Sequence, residues 1–155
     1  MAQIISDKAV LYAFKVESGR PWYLLLRRSA AVEFPGVWES VVGEPRNGEN
    51  CARAAIRAFV EQTSLDPVSL WAVEHVESHY DAHSDEVRLM PCFAALVSGE
   101  IRLGTRHDAS RWFSSTEVAN ALGSAAKRAS MDAIHHDVGA PVARGMEPDP
   151  RLRVV

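Results

Sequence analysis

Between Gly43 and Leu65 the chain reads GEPRNGENCARAAIRAFVEQTSL, a short loop feeding one amphipathic helix. No other stretch constrains the fold as strongly. Asn47, Gly48 and Asn50 supply turn chemistry and a candidate N-cap. Ala52, Ala55, Ile56 and Phe59 recur at steps of three and four, which predicts one buried stripe. Arg57 and Glu61 stand four apart on another face, and the helix gives out near Ser64.

The surrounding text supplies strands for that helix to pack on. Ala9 to Val16 and Trp22 to Leu26 are rich in aliphatic and aromatic residues and flank a Gly/Pro turn, so they read as a hairpin. Phe34-Pro35-Gly36-Val37-Trp38 is a loop leading into a short strand over Glu39 to Val42. Asp66-Pro67 forces a turn after the helix. Trp71 to Tyr80 alternates as a half-buried strand does, and Glu86 to Val97 reads as a central strand, with Pro91 at its start or a bulge. Gly99 to Leu103 and Ser110 to Phe113 suggest two further short strands. A helix capped by Ser114 or Ser115 before Glu117 follows, and Ser124 to His136 makes the last amphipathic helix. This order predicts a mixed α/β (α+β) fold in which a mixed β-sheet is sandwiched between helices. Residues 1–138 form the domain. Residues 139–155, with three prolines, two glycines and no periodicity, form a tail that is mobile or laid along the surface or a neighbouring subunit.

At 155 residues and 47% hydrophobic content, the chain suits one globular domain with a full core. A formal charge of −3 without a basic tract argues against a nucleic-acid polymer as partner. No stretch reaches the roughly 18 apolar residues of a membrane span, and the N-terminus lacks a secretory pattern. Cys51 and Cys92 lie in apolar runs and are expected to stay reduced in a cytoplasmic protein. The apolar end Leu152-Arg153-Val154-Val155 leaves docking, and a homodimer, open.

The spacing Gly43, Glu49, Arg57, Phe59, Glu61, Leu65 resembles the Nudix box, G-x5-E-x7-R-E-u-x-E-E-x-G-u, where u is a bulky aliphatic residue. The PGVW segment resembles the PGxW that often precedes that box. In the family, three glutamates on the helix bind divalent metals that activate water for pyrophosphate cleavage; here those positions are Ala58, Glu61 and Gln62, and the box glycine is Ser64. Thr105 to Trp112 resembles a TEHxxYxW segment of some Nudix hydrolases, including those similar to dihydroneopterin triphosphate pyrophosphatase. Arg106 stands there in place of an acid, and Ser110 in place of the tyrosine.

The resemblance implies a Nudix-type pyrophosphohydrolase for nucleoside or pterin triphosphates, weakened by the missing acids. Glu61, Glu49 and Arg57 would be the catalytic set, and Glu61 with Glu49 would hold one Mg2+ or Mn2+, weakly and together with substrate. The Gln62 amide is a neutral extra ligand. Arg27, Arg28, Trp38 and Gly43 are the candidate substrate-binding residues. Arg27 and Arg28 could equally be solubilising, and Trp38 core or rim. The alternative is a catalytically silent module that binds a nucleotide-type small molecule or a protein. Asp108 is a candidate substitute for the acid lost at 106. His75, Glu77 and His79 alternate on one strand near His83, and polar outward residues on an edge strand explain them better than a metal does. His135-His136 suit a helix C-terminus.

Overall fold

The computed structural model describes residues 1–155. Its strands are β1 (Gln3–Ile5), β2 (Ala9–Glu17), β3 (Arg20–Arg28), β4 (Trp38–Glu39), β5 (Val41–Gly43), β6 (Pro67–Asp81), β7 (Glu86–Val97) and β8 (His107–Phe113). The helices are α1 (Cys51–Thr63), α2 (Ser115–Ala121), α3 (Ala125–Ile134) and α4 (Ala140–Ala143). A π-helical turn over His135–Gly139 joins the last two. All eight strands belong to one mixed sheet. The expected α+β sandwich is the fold observed.

Its centre is β7. On one edge β7 runs parallel to β1 and β2, and on the other it is antiparallel to β6. β2 and β3 form the expected hairpin, turned by Ser18 and Gly19, both at positive φ, as a tight two-residue turn requires. β3 then pairs with β8 and β4, and β2 with β5. Between Ala72 and Val76, β6 advances four residues while β7 advances two, from Phe93 to Pro91. Pro91 thus lies opposite the end of a bulge, a position that tolerates a residue without an N–H.

Alternation along β2 and β3 builds two cores. Ala9, Leu11, Ala13, Leu24 and Leu26 pack with Phe59 and Ala55 of α1. Val10, Tyr12, Phe14, Tyr23 and Leu25 pack with Met131 and Ile134 of α3. Asn50 caps α1, its Oδ1 accepting from Arg53 N at 2.9 Å. Ser114 and Glu117 form a reciprocal capping box on α2.

Several expectations are corrected. The buried stripe of α1 is Ala54, Ala55, Ala58, Phe59 and Thr63, whereas Ala52 and Ile56 are half-buried. Ile101 to Leu103 is not a strand; Arg102 N instead donates to the Thr63 carbonyl past the end of α1. β1 was not foreseen. The last helix does not stop at His136: it continues through the π-helical turn, and His135 Nδ1 lies 2.7 Å from Tyr23 Oη. The apolar end lies on its own chain. Leu152 is buried in the α3-side core, Val154 N donates to Leu70 O, and Arg153 bridges to Trp71 on the free edge of β6.

Gly139 lies against Tyr23, and a Cβ there would fall 2.0 Å from the buried phenol oxygen. Gly139→Ala is expected to lose roughly 1–3 kcal/mol, the cost of overpacking a filled core. Tyr23→Phe should recover part of it. Urea unfolding of both single variants and the double variant checks this, the double losing less than the sum.

Candidate active site

The loop after β5 is fastened to α1 by one arginine. Arg57 donates from Nε to Glu49 Oε2 at 2.9 Å and from Nη2 to Glu49 Oε1 at 2.8 Å, a two-pronged clamp. Nη2 also reaches the Glu44 carbonyl at 2.8 Å, and Arg46 N donates to Glu49 Oε1 at 2.8 Å. Both Glu49 oxygens are therefore committed within the loop. Hydrogen bonding to Arg57, then to the Arg46 backbone, holds the Glu49 carboxyl at about 2. Gly43, one residue beyond the cavity-lining Val42, is needed for close packing: a Cβ there would fall 2.5 Å from the Ala54 carbonyl oxygen of α1.

Of the three box positions on the helix, Glu61 alone keeps its glutamate, and its side chain is 53% exposed. Arg46 Nη2 stands 3.5 Å and Arg57 Nη1 3.6 Å from its carboxylate. Ala58, where the family has an acid, is buried against the sheet, and Gln62 is half-buried. The three positions do not share one open patch as helical spacing alone suggests. No three His, Cys, Asp or Glu side chains come together as a metal-holding group. This donor set does not fit a two-metal clamp. It fits at most one hydrated ion on Glu61 that draws its remaining ligands from water and substrate phosphate.

A second cluster forms around Glu39, the last residue of β4. Arg28 Nη1 donates to both Glu39 oxygens, at 3.0 and 3.2 Å, and His107 Nε2 lies 2.9 Å from Glu39 Oε1. Arg106 Nε stands 3.9 Å from the same oxygen. Burial works to raise the Glu39 carboxyl, but hydrogen bonds from His107 and Arg28 outweigh it and hold the group below its ordinary range. Arg27 points elsewhere, into an ion pair with Asp108 at 2.8 Å. Asp108 is thus already engaged, away from α1. Trp38 packs edge-on against Phe113 with ring centroids 5.5 Å apart, which places it at the rim of the core.

Arg28, Glu39 and Arg106 line a cavity of about 750 Å³ between the sheet and the start of α3. Val10, Val42 and Met90 form its sheet wall, and Ala125 and Ala126 its helix wall. Five cations (Lys8, Arg28, Arg88, Arg106 and Lys127) face three carboxylates (Glu39, Glu77 and Asp81), an excess of positive charge suited to an anionic ligand. Arg27, Trp38, Gly43, Glu49, Arg57 and Glu61 do not line it. Glu77 corrects the reading of its strand: it is 2% exposed and faces inward, while His79 lines the cavity mouth and His75 sits in the bulge. Sequence reasoning missed Glu39, His107 and Glu77 as site residues. The available signal was an acid beside an apolar strand residue, and it is weak because burial of that acid depends on partners far along the chain.

The Arg57 clamp has a pH signature. Because the folded carboxyl of Glu49 titrates near 2, below the ordinary 4.5, its contribution is complete above pH 4.5 and is lost as pH falls toward 2. Carboxyl-detected NMR titration should place Glu49 near 2 in the native chain. Arg57→Ala should return it toward the ordinary range and flatten the stability profile between pH 4.5 and 2.

The NUDIX domain family model matches residues 7–134. Among solved structures, a protein of Listeria monocytogenes described as a NUDIX hydrolase superposes with a TM-score of 0.70 at 18% identity, covering 85% of this chain and 93% of that one. A MutT NUDIX hydrolase of Burkholderia pseudomallei superposes at 0.65 with 27% identity, covering 85% and 98%. The NUDIX domain of Shewanella oneidensis NrtR, seen in complex with ADP ribose, superposes at 0.60 with 17% identity, covering 78% of each chain. No curated protein matches the sequence. With the family model spanning most of its length and the fold shared with these structures, the chain belongs to the NUDIX domain family.

Proposed function

We propose that this protein is a Nudix pyrophosphohydrolase of reduced power, acting on a nucleoside-diphosphate-linked substrate of the nucleoside- or pterin-triphosphate kind. The cavity carries this reading: five cations around an apolar slot, entered by the strand that leads directly into the Glu49–Arg57 loop. The ADP ribose seen with the Shewanella domain is a ligand of the same chemical class. Arg28 and Arg106, already facing Glu39, would receive phosphate oxygens as Glu39 shares them with the ligand. Arg57 and Glu49 hold the loop in position, and Glu61 supplies the exposed carboxylate of the box helix. When bound together with substrate, one magnesium or manganese ion at Glu61 would neutralise charge on the pyrophosphate. Residues 1–138 are the working domain, 139–155 extend its last helix through α4 before Arg153 to Val155 lie along β6, and we place the protein in the cytoplasm without a nucleic-acid or membrane partner.

A specific observation favours a second reading, the catalytically silent binding module. The family's first metal-binding acid is replaced by the buried Ala58, and two arginines already stand beside Glu61. A panel of nucleoside di- and triphosphates, dinucleotides and pterin triphosphate separates the two, scored for thermal shift in chelator and for phosphate release with magnesium or manganese. The hydrolase reading expects slow, metal-dependent release. Stabilisation in chelator with no turnover under any metal would establish the silent module instead, and no response to the whole panel would remove both.

A repair of the box sharpens the test. Gln62→Glu places a second, half-exposed carboxylate next to Glu61 and should raise metal-dependent turnover on the order of tenfold, about 1.4 kcal/mol of barrier. Ala58→Glu forces a carboxylate into a buried site and should instead lower the unfolding midpoint. Steady-state kinetics and urea titration of the two variants check these opposite outcomes.

A further inference from the structure

One carboxylate in the cavity is held in a way that pyrophosphate chemistry does not use. Both donors to Glu77 converge on a single oxygen: Tyr12 Oη and Ser130 Oγ each lie 2.8 Å from Oε2. Ser130 Oγ in turn accepts from Cys92 Sγ at 3.7 Å. Burial first, and the neighbouring Glu77 second, push the Tyr12 phenol well above its usual range, so it remains a donor. Oε1 has no hydrogen-bond partner in the chain. It is also open to the cavity that Glu77 lines, because His75 Nε2 is the one fully enclosed side-chain polar atom left without a partner. A 2% exposed carboxylate thus has one oxygen tied down from behind and the other facing the ligand space.

The walls beside it, Val10 and Met90 from the sheet and Ala126 from α3, are apolar and suit a flat ring. An ionised carboxylate only accepts hydrogen bonds. A ring amino group facing Oε1 satisfies it. A ring carbonyl in the same place sets two acceptors against each other and leaves the buried oxygen unpaired, which is how polar sites reject close analogues.

The geometry points to Glu77 as the residue that selects the ring of the ligand, a heterocycle that donates an exocyclic amino N–H to Oε1, as adenine and cytosine can, in preference to its oxo counterpart. This rests on the reading that the cavity takes the nucleotide. Replacing the carboxylate by an amide has a particular consequence. Tyr12 still requires an acceptor, whereas Ser130 Oγ also has the Ala126 carbonyl within 3.1 Å, so Tyr12 would hold the amide oxygen of Glu77→Gln, turning its NH2 toward the ligand. The site would then offer a donor where it had offered an acceptor.

The test is calorimetric titration of the full chain in chelator with two isosteric pairs, ADP against IDP and CDP against UDP, repeated on Glu77→Gln. The native chain should bind the amino member of each pair about tenfold or more tightly than the oxo member. Glu77→Gln, checked for an unchanged fold by circular dichroism, should reverse the preference, a response that a purely structural role would not give. Equal affinities within both pairs on the native chain overturn the assignment while leaving the nucleotide reading intact, and so does an unreversed preference in the folded variant. Absence of binding by all four ligands overturns both together. The native selectivity decides the matter even if the variant does not fold.

Discussion

Strand β2 has no polar face, and the architecture follows from that. Ala9, Leu11 and Ala13 turn to one side and Val10, Tyr12 and Phe14 to the other, all of them buried. A strand of this kind must be covered twice, by α1 on one face and α3 on the other. On the α1 side the cover is close. Ala54, Ala55 and Ala58 present small side chains to the sheet, and Gly43 meets the Ala54 carbonyl where any side chain would collide. The same closeness bears on chemistry, since position 58 lies in an apolar contact and offers no room for a hydrated carboxylate.

Charge is organised around two arginines on either side of β4 and β5. Arg57 gathers Glu49 and the Glu44 carbonyl, and Arg28 gathers Glu39 beside His107. The energetics of the two differ. The Arg28–Glu39 side chains are only 14% and 11% exposed, so removing either partner strands a charge in a poorly solvated place. The Glu61 contacts are surface pairs at 3.5 and 3.6 Å, weak enough to be rearranged by an arriving anion or cation. Stable charge therefore sits in the cavity wall and in the Arg57–Glu49 clamp, and adaptable charge at Glu61.

The features legible in the sequence were those with local causes. The Ser18-Gly19 hairpin, the Asn50-to-Ser64 limits of α1 and the Ser114–Glu117 capping box all follow from neighbours within a few residues. The rest depended on distant partners. The stripe of α1 is rotated toward Ala54 and Ala58 because β5 approaches there, which helical periodicity alone does not reveal. Glu77 looked like an outward polar residue until Tyr12, 65 positions earlier, and Ser130, 53 later, supplied its donors. Tail residues without periodicity found their order by adding to the free edge of β6 at Leu70. In the box, spacing identified the family, while the state of Glu49 and Glu61 came only with the arginines around them.

The bulge in β6 carries one more consequence. Across it β6 holds two residues more than β7, an even number, and so Trp71, Val73 and Glu77 remain on one face. Side chains in a strand change face at every step, so an odd insertion or deletion at that point would reverse the phase of everything beyond it. Glu77 would turn to solvent and Val76 or Ser78 would take its place in the cavity, with no substitution at the site itself. The polarity of this cavity can therefore change through the length of a strand as readily as through its composition.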